Sequence, residues 1–275
     1  MSVPTESIAP DPTATQAASV FDPYAPWMLA GLLLLAAWGL ARRWRRAELR
    51  GRLGVPAPEA PLPRLPWAVA APLLFTLSFL FGLLAWSVTL GTHSALGQFL
   101  RRWDDTAQQW AKGLSVPGVH GLAALLTEIG RGGALVLLVG LVALLLLRRR
   151  QGFLALAWIT ACAANGLTVR VLKAFIGRAR PPESTEAAFA GLSFPSGHAA
   201  GAVMVLGLLV WLLQDWAPPS RRAWWALLGG LLIIGIAVSR VILQAHYMTD
   251  VFGGLLLGAC SLVLTIAVME HARRW

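Results

Sequence analysis

Residues 67–90 read WAVAAPLLFTLSFLFGLLAWSVTL, a run without a charged side chain. A bilayer core is about 30 Å thick, and a helix crosses it with roughly 17–25 apolar residues. The stretch meets that requirement and predicts a transmembrane helix. Downstream, further apolar runs at 122–147, 153–175, 199–213, 223–243 and 251–269 repeat the pattern. The 199–213 run reaches full length only with Gly197, His198 and Trp216 at its ends. Upstream, residues 26–41 form a shorter apolar run that can borrow Tyr24 and Trp44. The expected fold is therefore all-α, a polytopic membrane helix bundle of six core spans and one extra N-terminal span.

Composition agrees. The 275-residue chain is 57% hydrophobic and only 13% charged, about half the charged fraction of a soluble domain, ~25%. A net charge of +10 would point to nucleic acid in a soluble protein. Here arginines flanking the spans account for it, so the expected partner is the bilayer and not nucleic acid. Cys162 and Cys260 both lie inside apolar runs and read as packing residues. No Cys/His cluster has zinc spacing and no glycine-rich nucleotide loop occurs, so neither metal nor cofactor is expected.

The chain divides into a tail over 1–23, the extra helix over 24–46, an Arg/Pro-rich linker over 47–66 and the six-helix unit over 67–270. The tail carries no Lys or Arg and reads as disordered, without the positive start of a signal peptide. Between the second and third spans, Leu96, Phe99, Leu100, Trp103, Ala107, Trp110 and Leu114 recur at helical spacing. Arg101, Arg102, Asp104, Asp105 and Gln108 fill the opposite face. This amphipathic helix fits either the membrane surface or a cap packed on protein.

With seven spans, alternate loops share a side. One side collects Arg42, Arg43, Arg45, Arg46, Arg50, Arg52, Arg64, Arg148 to Arg150, Arg221, Arg222, Arg273 and Arg274. Cytoplasmic loops carry such an excess, so the C-terminus is expected in the cytoplasm. Thirteen tryptophans, many near span ends, fit an interfacial belt.

The polar residues at the other ends of the spans form three clusters. Lys173 and Arg180 are seven apart, which on a continuous helix puts them on one face, before Pro181-Pro182. Arg180 offers a planar fork for two phosphate oxygens and Lys173 a point charge; Arg170 reads as a snorkelling side chain. Pro195-Ser196-Gly197-His198 leads into an apolar helix, whose N-terminus presents free N–H groups to an anion. Gly197 allows close approach, and Ser196 can cap the helix or donate its hydroxyl. Ser239-Arg240 precedes His246 and Asp250, which are four apart, one turn on a helix. Asp250 can accept one ring N–H and leave the other nitrogen as a nucleophile. Arg240 and His246 would share a site only if the helix breaks near Gln244. All three clusters fall on the outer face, where charges beside a bilayer core mark function.

In order, the clusters read Lys-x6-Arg-Pro, Pro-Ser-Gly-His and Ser-Arg-x5-His-x3-Asp. This resembles the signature of the type-2 phosphatidic acid phosphatase family, over roughly residues 67–269. Weaker features share the resemblance: the stretch Phe99 to Asp104, Thr127-Glu128-Ile129-Gly130, Gly177-Arg178-Ala179-Arg180-Pro181 and His246-Tyr247-Met248-Thr249-Asp250-Val251. Many relatives have proline where this chain has Met248.

The resemblance implies a six-helix core and a metal-independent phosphatase. By its pattern, His246 attacks phosphorus to form a phosphohistidine and Asp250 orients it. His198 protonates the leaving oxygen and then activates water. Lys173, Arg180, Arg240 and the Ser196-Gly197 turn hold the phosphoryl oxygens. The expected substrate is a lipid phosphate, undecaprenyl diphosphate first, with phosphatidate, phosphatidylglycerol phosphate and lipid A phosphates as rivals. The expected place is the inner membrane, with the site on the periplasmic or outer face. Vanadate-dependent haloperoxidases share the cradle, and a non-enzymatic transporter would explain the helix-end charges alone. His93, His120 and His271 read as bystanders, Glu128 with Arg131 as an ion pair, and Glu183 and Glu186 as solvated loop charges.

Overall fold

The computed structural model describes residues 65–114, 116–184 and 191–272. The expected tail, the extra span and nearly all of the linker lie outside them, as do Arg273, Arg274 and Glu186. The described residues form eight α-helices: α1 Trp67–Leu90, α2 Ala95–Gly113, α3 Pro117–Ile129, α4 Gly132–Arg148, α5 Gly152–Ile176, α6 Gly197–Trp216, α7 Pro219–Ile242 and α8 Met248–Ala272. A 3-10 turn, Gly91–His93, joins α1 to α2. Among the described residues the only extended pairing is an isolated bridge between Ala179 and Leu192.

Helices α1, α5, α6, α7 and α8 are each long and apolar enough to cross a membrane. Helices α3 and α4 pass the same test together but meet at a 46° bend. The sequence predicts one straight helix over 122–147, and the structure corrects this. At Gly130 an added Cβ would lie 2.4 Å from Ile236 Cγ2, so the chain passes against α7 there without a side chain. Arg131 then turns extended, at φ −64° and ψ 142°, before α4 begins. Glu128 and Arg131 flank the bend and are paired at 2.9 Å, as expected.

Helix ends follow from sequence. Ser94 Oγ accepts from Gly97 N at 3.0 Å and starts α2. Ser196 caps α6 by accepting from Ala199 N at 3.5 Å, and α6 runs from Gly197 to Trp216 as its length requires. Gly177, at φ 66°, ends α5 in the left-handed region that glycine occupies without strain. Gln244, at φ 53°, marks the break expected between Arg240 and His246.

Helix α6 is the centre of the bundle, packing chiefly on α8 and α7. Much of α6 is buried, whereas α1 packs on α8 along one face and leaves most of its large side chains exposed. The main core joins Leu146, Trp158, Met204, Leu208, Leu212 and Met269. Between spans, lipid supplies little hydrophobic drive, so close packing of small residues matters more. The α6–α8 seam shows this: a Cβ on Gly254 would lie 2.4 Å from Ser196 O, and one on Gly258 2.7 Å from Ala200 O. A Cβ on Gly253 would lie 2.5 Å from Phe194 Cε2. At the opposite end of α8, Glu270 accepts from Trp211 Nε1 at 3.0 Å and from Leu65 N at 3.0 Å. Both cysteines are free and half-buried, consistent with packing roles.

Candidate active site

Three segments meet at one end of α6: the stretch after α5, the turn before α6, and the α7–α8 connection. The turn and the connection are joined by Ser196 N donating to Asp250 O at 2.9 Å. Ser193 N donates to Arg178 O at 2.7 Å and ties in the α5 stretch. The Phe194–Pro195 bond is cis.

Lys173 lies in the last turn of α5. Its Nζ donates to Leu192 O at 2.6 Å and Ser193 O at 3.2 Å. Arg180 lies beyond the helix end at Gly177, so the expectation that the two share one continuous helical face is corrected. The left-handed glycine redirects the chain, and Arg180 reaches the site from the extended segment, with Nη1 donating to Ala245 O at 2.9 Å. Arg240 is 1% exposed and donates from Nη1 to Thr127 Oγ1 at 2.5 Å. Its own carbonyl accepts from Ala245 N at 3.0 Å and His246 N at 3.2 Å, which folds the His246 turn back over it.

A second correction concerns His246. It sits in the turn ahead of α8, not on the helix with Asp250, which lies in the first turn. The imidazole is 1% exposed, and Nδ1 lies 3.5 Å from Asp250 Oδ2. Burial, against the pull of Asp250, lowers its pKa to about 4, and the charges of Lys173 and Arg180 push the same way. The ring is therefore neutral near pH 7, as a nitrogen nucleophile must be. His198 is the second residue of α6 and half-buried. Its ring packs at the α3–α4 bend, where a Cβ on Gly130 would lie 3.3 Å from Cδ2. That is a physical reason for glycine in Thr127-Glu128-Ile129-Gly130, as the Arg240 bond is for threonine.

The structure thus brings Lys173, Arg180, Ser196, Gly197, Arg240, His246 and Asp250 into one connected set, with His198 at the mouth of α6. It also gives contacts to residues that the sequence reading named without assigning them a role. Arg178 Nη1 donates to Asp250 Oδ1 and Thr249 Oγ1, each at 2.6 Å, and Nη2 to Asp104 Oδ2 at 2.7 Å. The guanidinium also lies 4.2 Å over the Tyr247 ring. Asp104, on α2, is 1% exposed and accepts from Thr249 N at 2.9 Å and Thr249 Oγ1 at 2.7 Å. Burial pushes its pKa up, with Arg178 opposing. Gln108 Nε2 donates to His246 O at 3.0 Å.

Helix α2 therefore turns part of its polar face to the site and leaves Leu96, Phe99, Trp103 and Trp110 exposed. The signal was the buried stripe Gly97, Asp104, Ala107 and Ala111, small residues at helical spacing around one carboxylate. Glu183 pairs with Lys112 on α2 at 2.5 Å, and both are exposed. Arg170, His93 and His120 are exposed.

A membrane bundle that gathers cations, a helix N-terminus and a buried histidine at one end has the groups needed to hold a phosphoryl group. Comparison with known proteins agrees. The PAP2 superfamily model matches residues 154–274. A lipid A 1-phosphatase of Rhizobium johnstonii is 31% identical over 263 residues, covering 86% of this chain and 90% of that protein. Phosphatidylglycerophosphatase B of Bacillus subtilis is 25% identical over 174 residues, covering 62% and 86%. The crystal structure of a transmembrane PAP2 type phosphatidylglycerolphosphate phosphatase from Bacillus subtilis superposes with a TM-score of 0.65 at 24% identity, covering 72% of this chain and 96% of that one. The chain belongs to the PAP2 superfamily of lipid phosphatases and is a multi-pass membrane protein.

Proposed function

We propose that the protein is a metal-independent lipid phosphatase whose site faces the periplasm or cell exterior and works through a phosphohistidine on His246. The observation that carries this is the buried imidazole of His246, held by Ser193 and Asp250 in the connection that also brings in Lys173, Arg180 and Arg240. His246 Nε2 attacks phosphorus while Asp250 balances the charge that develops on the ring. His198 donates a proton to the leaving lipid oxygen, then takes one from the water that cleaves the N–P bond. General acid–base help of this kind is worth ~10²–10⁴ in rate. Lys173, Arg180, Arg240 and the N–H groups at Ser196-Gly197 neutralise the phosphoryl oxygens. A cradle of fixed cations repels a divalent ion, which supports chemistry without a metal.

The arginines at 148–150 and 221–222 lie at the helix ends away from the site, which supports a cytoplasmic assignment for that side. Among lipid tails, similarity to a lipid A 1-phosphatase along most of the chain puts a glycolipid 1-phosphate ahead of undecaprenyl diphosphate. Phosphatidylglycerol phosphate follows. The test is phosphate release by the purified protein in detergent with EDTA, across a panel of these lipids, for wild type and His246→Ala. Release from at least one lipid, kept in EDTA and lost in the variant, is expected. No release from any lipid overturns the reading. Loss in EDTA restored by a divalent ion overturns metal independence.

A further inference from the structure

We infer that Ser193 is a positioning residue that links the nucleophilic histidine to its carboxylate, so that the working unit is His246–Ser193–Asp250 and not a His–Asp pair. The inference deepens the phosphohistidine reading and rests on it.

The distances carry it. A good N–H···O bond spans ~2.7–3.2 Å. His246 Nδ1 is 3.5 Å from Asp250 Oδ2, beyond that range, but 3.2 Å from Ser193 Oγ. Ser193 Oγ in turn donates to Asp250 Oδ2. The serine is 0% exposed, so its hydroxyl has no water to turn to. Its backbone is held on both sides, by Arg178 O at 2.7 Å and by Lys173 Nζ at 3.2 Å, and this fixes where the hydroxyl sits.

The donor inventory then sets the tautomer. Asp250 is an ionised acceptor, with Arg178 Nη1 at 2.6 Å on Oδ1 and Tyr247 N at 2.9 Å on Oδ2. A hydroxyl has one proton. Ser193 gives it to Asp250 and can only accept from His246 Nδ1. Nδ1 must therefore carry the ring proton, and Nε2 is left with the lone pair. The attack uses that pair: the Nε2–P bond forms, the P–O bond to the lipid breaks, and His198 supplies the proton to the leaving oxygen. Nδ1–H and Oγ–H stay on their own atoms. The positive charge on the phosphorylated ring reaches Asp250 through the serine.

The experiment has two arms. In the first, ¹⁵N-histidine-labelled wild type is observed by NMR at pH 7, with the His246 signals assigned by their loss in His246→Gln. A protonated Nδ1 and a bare Nε2 are expected, and Ser193→Ala should raise the fraction of the opposite tautomer. A protonated Nε2 in wild type, or no change in Ser193→Ala, overturns the proposal. In the second, phosphoenzyme formation is timed for Ser193→Ala, Asp250→Asn and the double variant. Ser193→Ala should slow formation about 10- to 100-fold with little change in KM. The double variant should be no more than about threefold slower than Asp250→Asn, since both act through His246. Multiplying losses, or a wild-type rate in Ser193→Ala, overturns it. If wild type forms no phosphoenzyme, the phosphohistidine reading fails. The tautomer arm, which needs no turnover, then decides the role of Ser193.

Discussion

Replacing Asp104 by alanine tests whether helix α2 braces the candidate site. The carboxylate is buried, meets Arg178 Nη2 at 2.7 Å and accepts from Thr249 N at 2.9 Å and Thr249 Oγ1 at 2.7 Å. Alanine removes all of these at once. Arg178 keeps Asp250, but the Thr249 N–H loses its acceptor next to the Asp250 carboxylate. Breaking a buried ion pair from one side costs ~3–5 kcal/mol, and stranding a buried donor ~1–3 kcal/mol. Burial already raises the Asp104 pKa, so desolvation offsets part of the pair, and the low end, about 3 kcal/mol, applies. At ~2–4 °C per kcal/mol for a chain of this size, the melting temperature should fall by about 6–12 °C. Asp104→Asn keeps an acceptor for Thr249 and should fall about half as far. Thermal unfolding in detergent, read by tryptophan fluorescence, and phosphate release from lipid check both. A melting temperature within about 2 °C of wild type for the alanine variant would refute the reasoning.

Four more outcomes are expected. His198→Ala should lose more activity on a lipid ester than on nitrophenyl phosphate, whose leaving group needs less protonation; equal losses would remove His198 as the acid. Gly254→Ala should cut activity at least about tenfold, because the added Cβ meets Ser196 O and pushes α6 from Asp250; wild-type turnover would contradict this. His246 binds a proton near pH 6.5 when unfolded but only near 4 when folded. Stability should therefore fall as pH drops from about 6.5 to about 4, and His246→Gln should flatten that slope in unfolding midpoints measured across it. Cysteine in place of His120 should react with an impermeant thiol reagent in intact cells and cysteine in place of Arg149 should not; the reverse labelling would invert the topology.

Uncharged runs made the spans legible in sequence, and residues 67–90 match α1 at both ends. The spacing from Arg240 to His246 foretold the break at Gln244, because an unbroken helix would put the two on different faces. What escaped had a common cause. Asp104 on an amphipathic helix looks like a solvated charge, and only α8 packed against it shows that its face is buried. Arg178, beside Arg180, looks like another helix-end cation until Asp104 and Asp250 appear on either side. Lys173 and Arg180 looked like neighbours on one face because sequence spacing does not reveal that Gly177 takes a positive φ. Ser193 carries no charge and no spacing rule, and its part emerges only from distances.

The seam between α6 and α8 sets a limit of a different kind. It is made by the absence of side chains, so every substitution at Gly253, Gly254 or Gly258 adds atoms where none fit. The spacing between the Ser196 turn and Asp250 is already at its minimum and can only widen. At these three positions the seam leaves no room for added atoms. Helix α1 is the opposite case on one face only: it packs on α8, with Ala70 fully buried, while most of its large side chains face outward. Change on that outward face meets no such clash. Substitutions can therefore accumulate on the outward face of α1 while the join between Ser196 and Asp250 stands still.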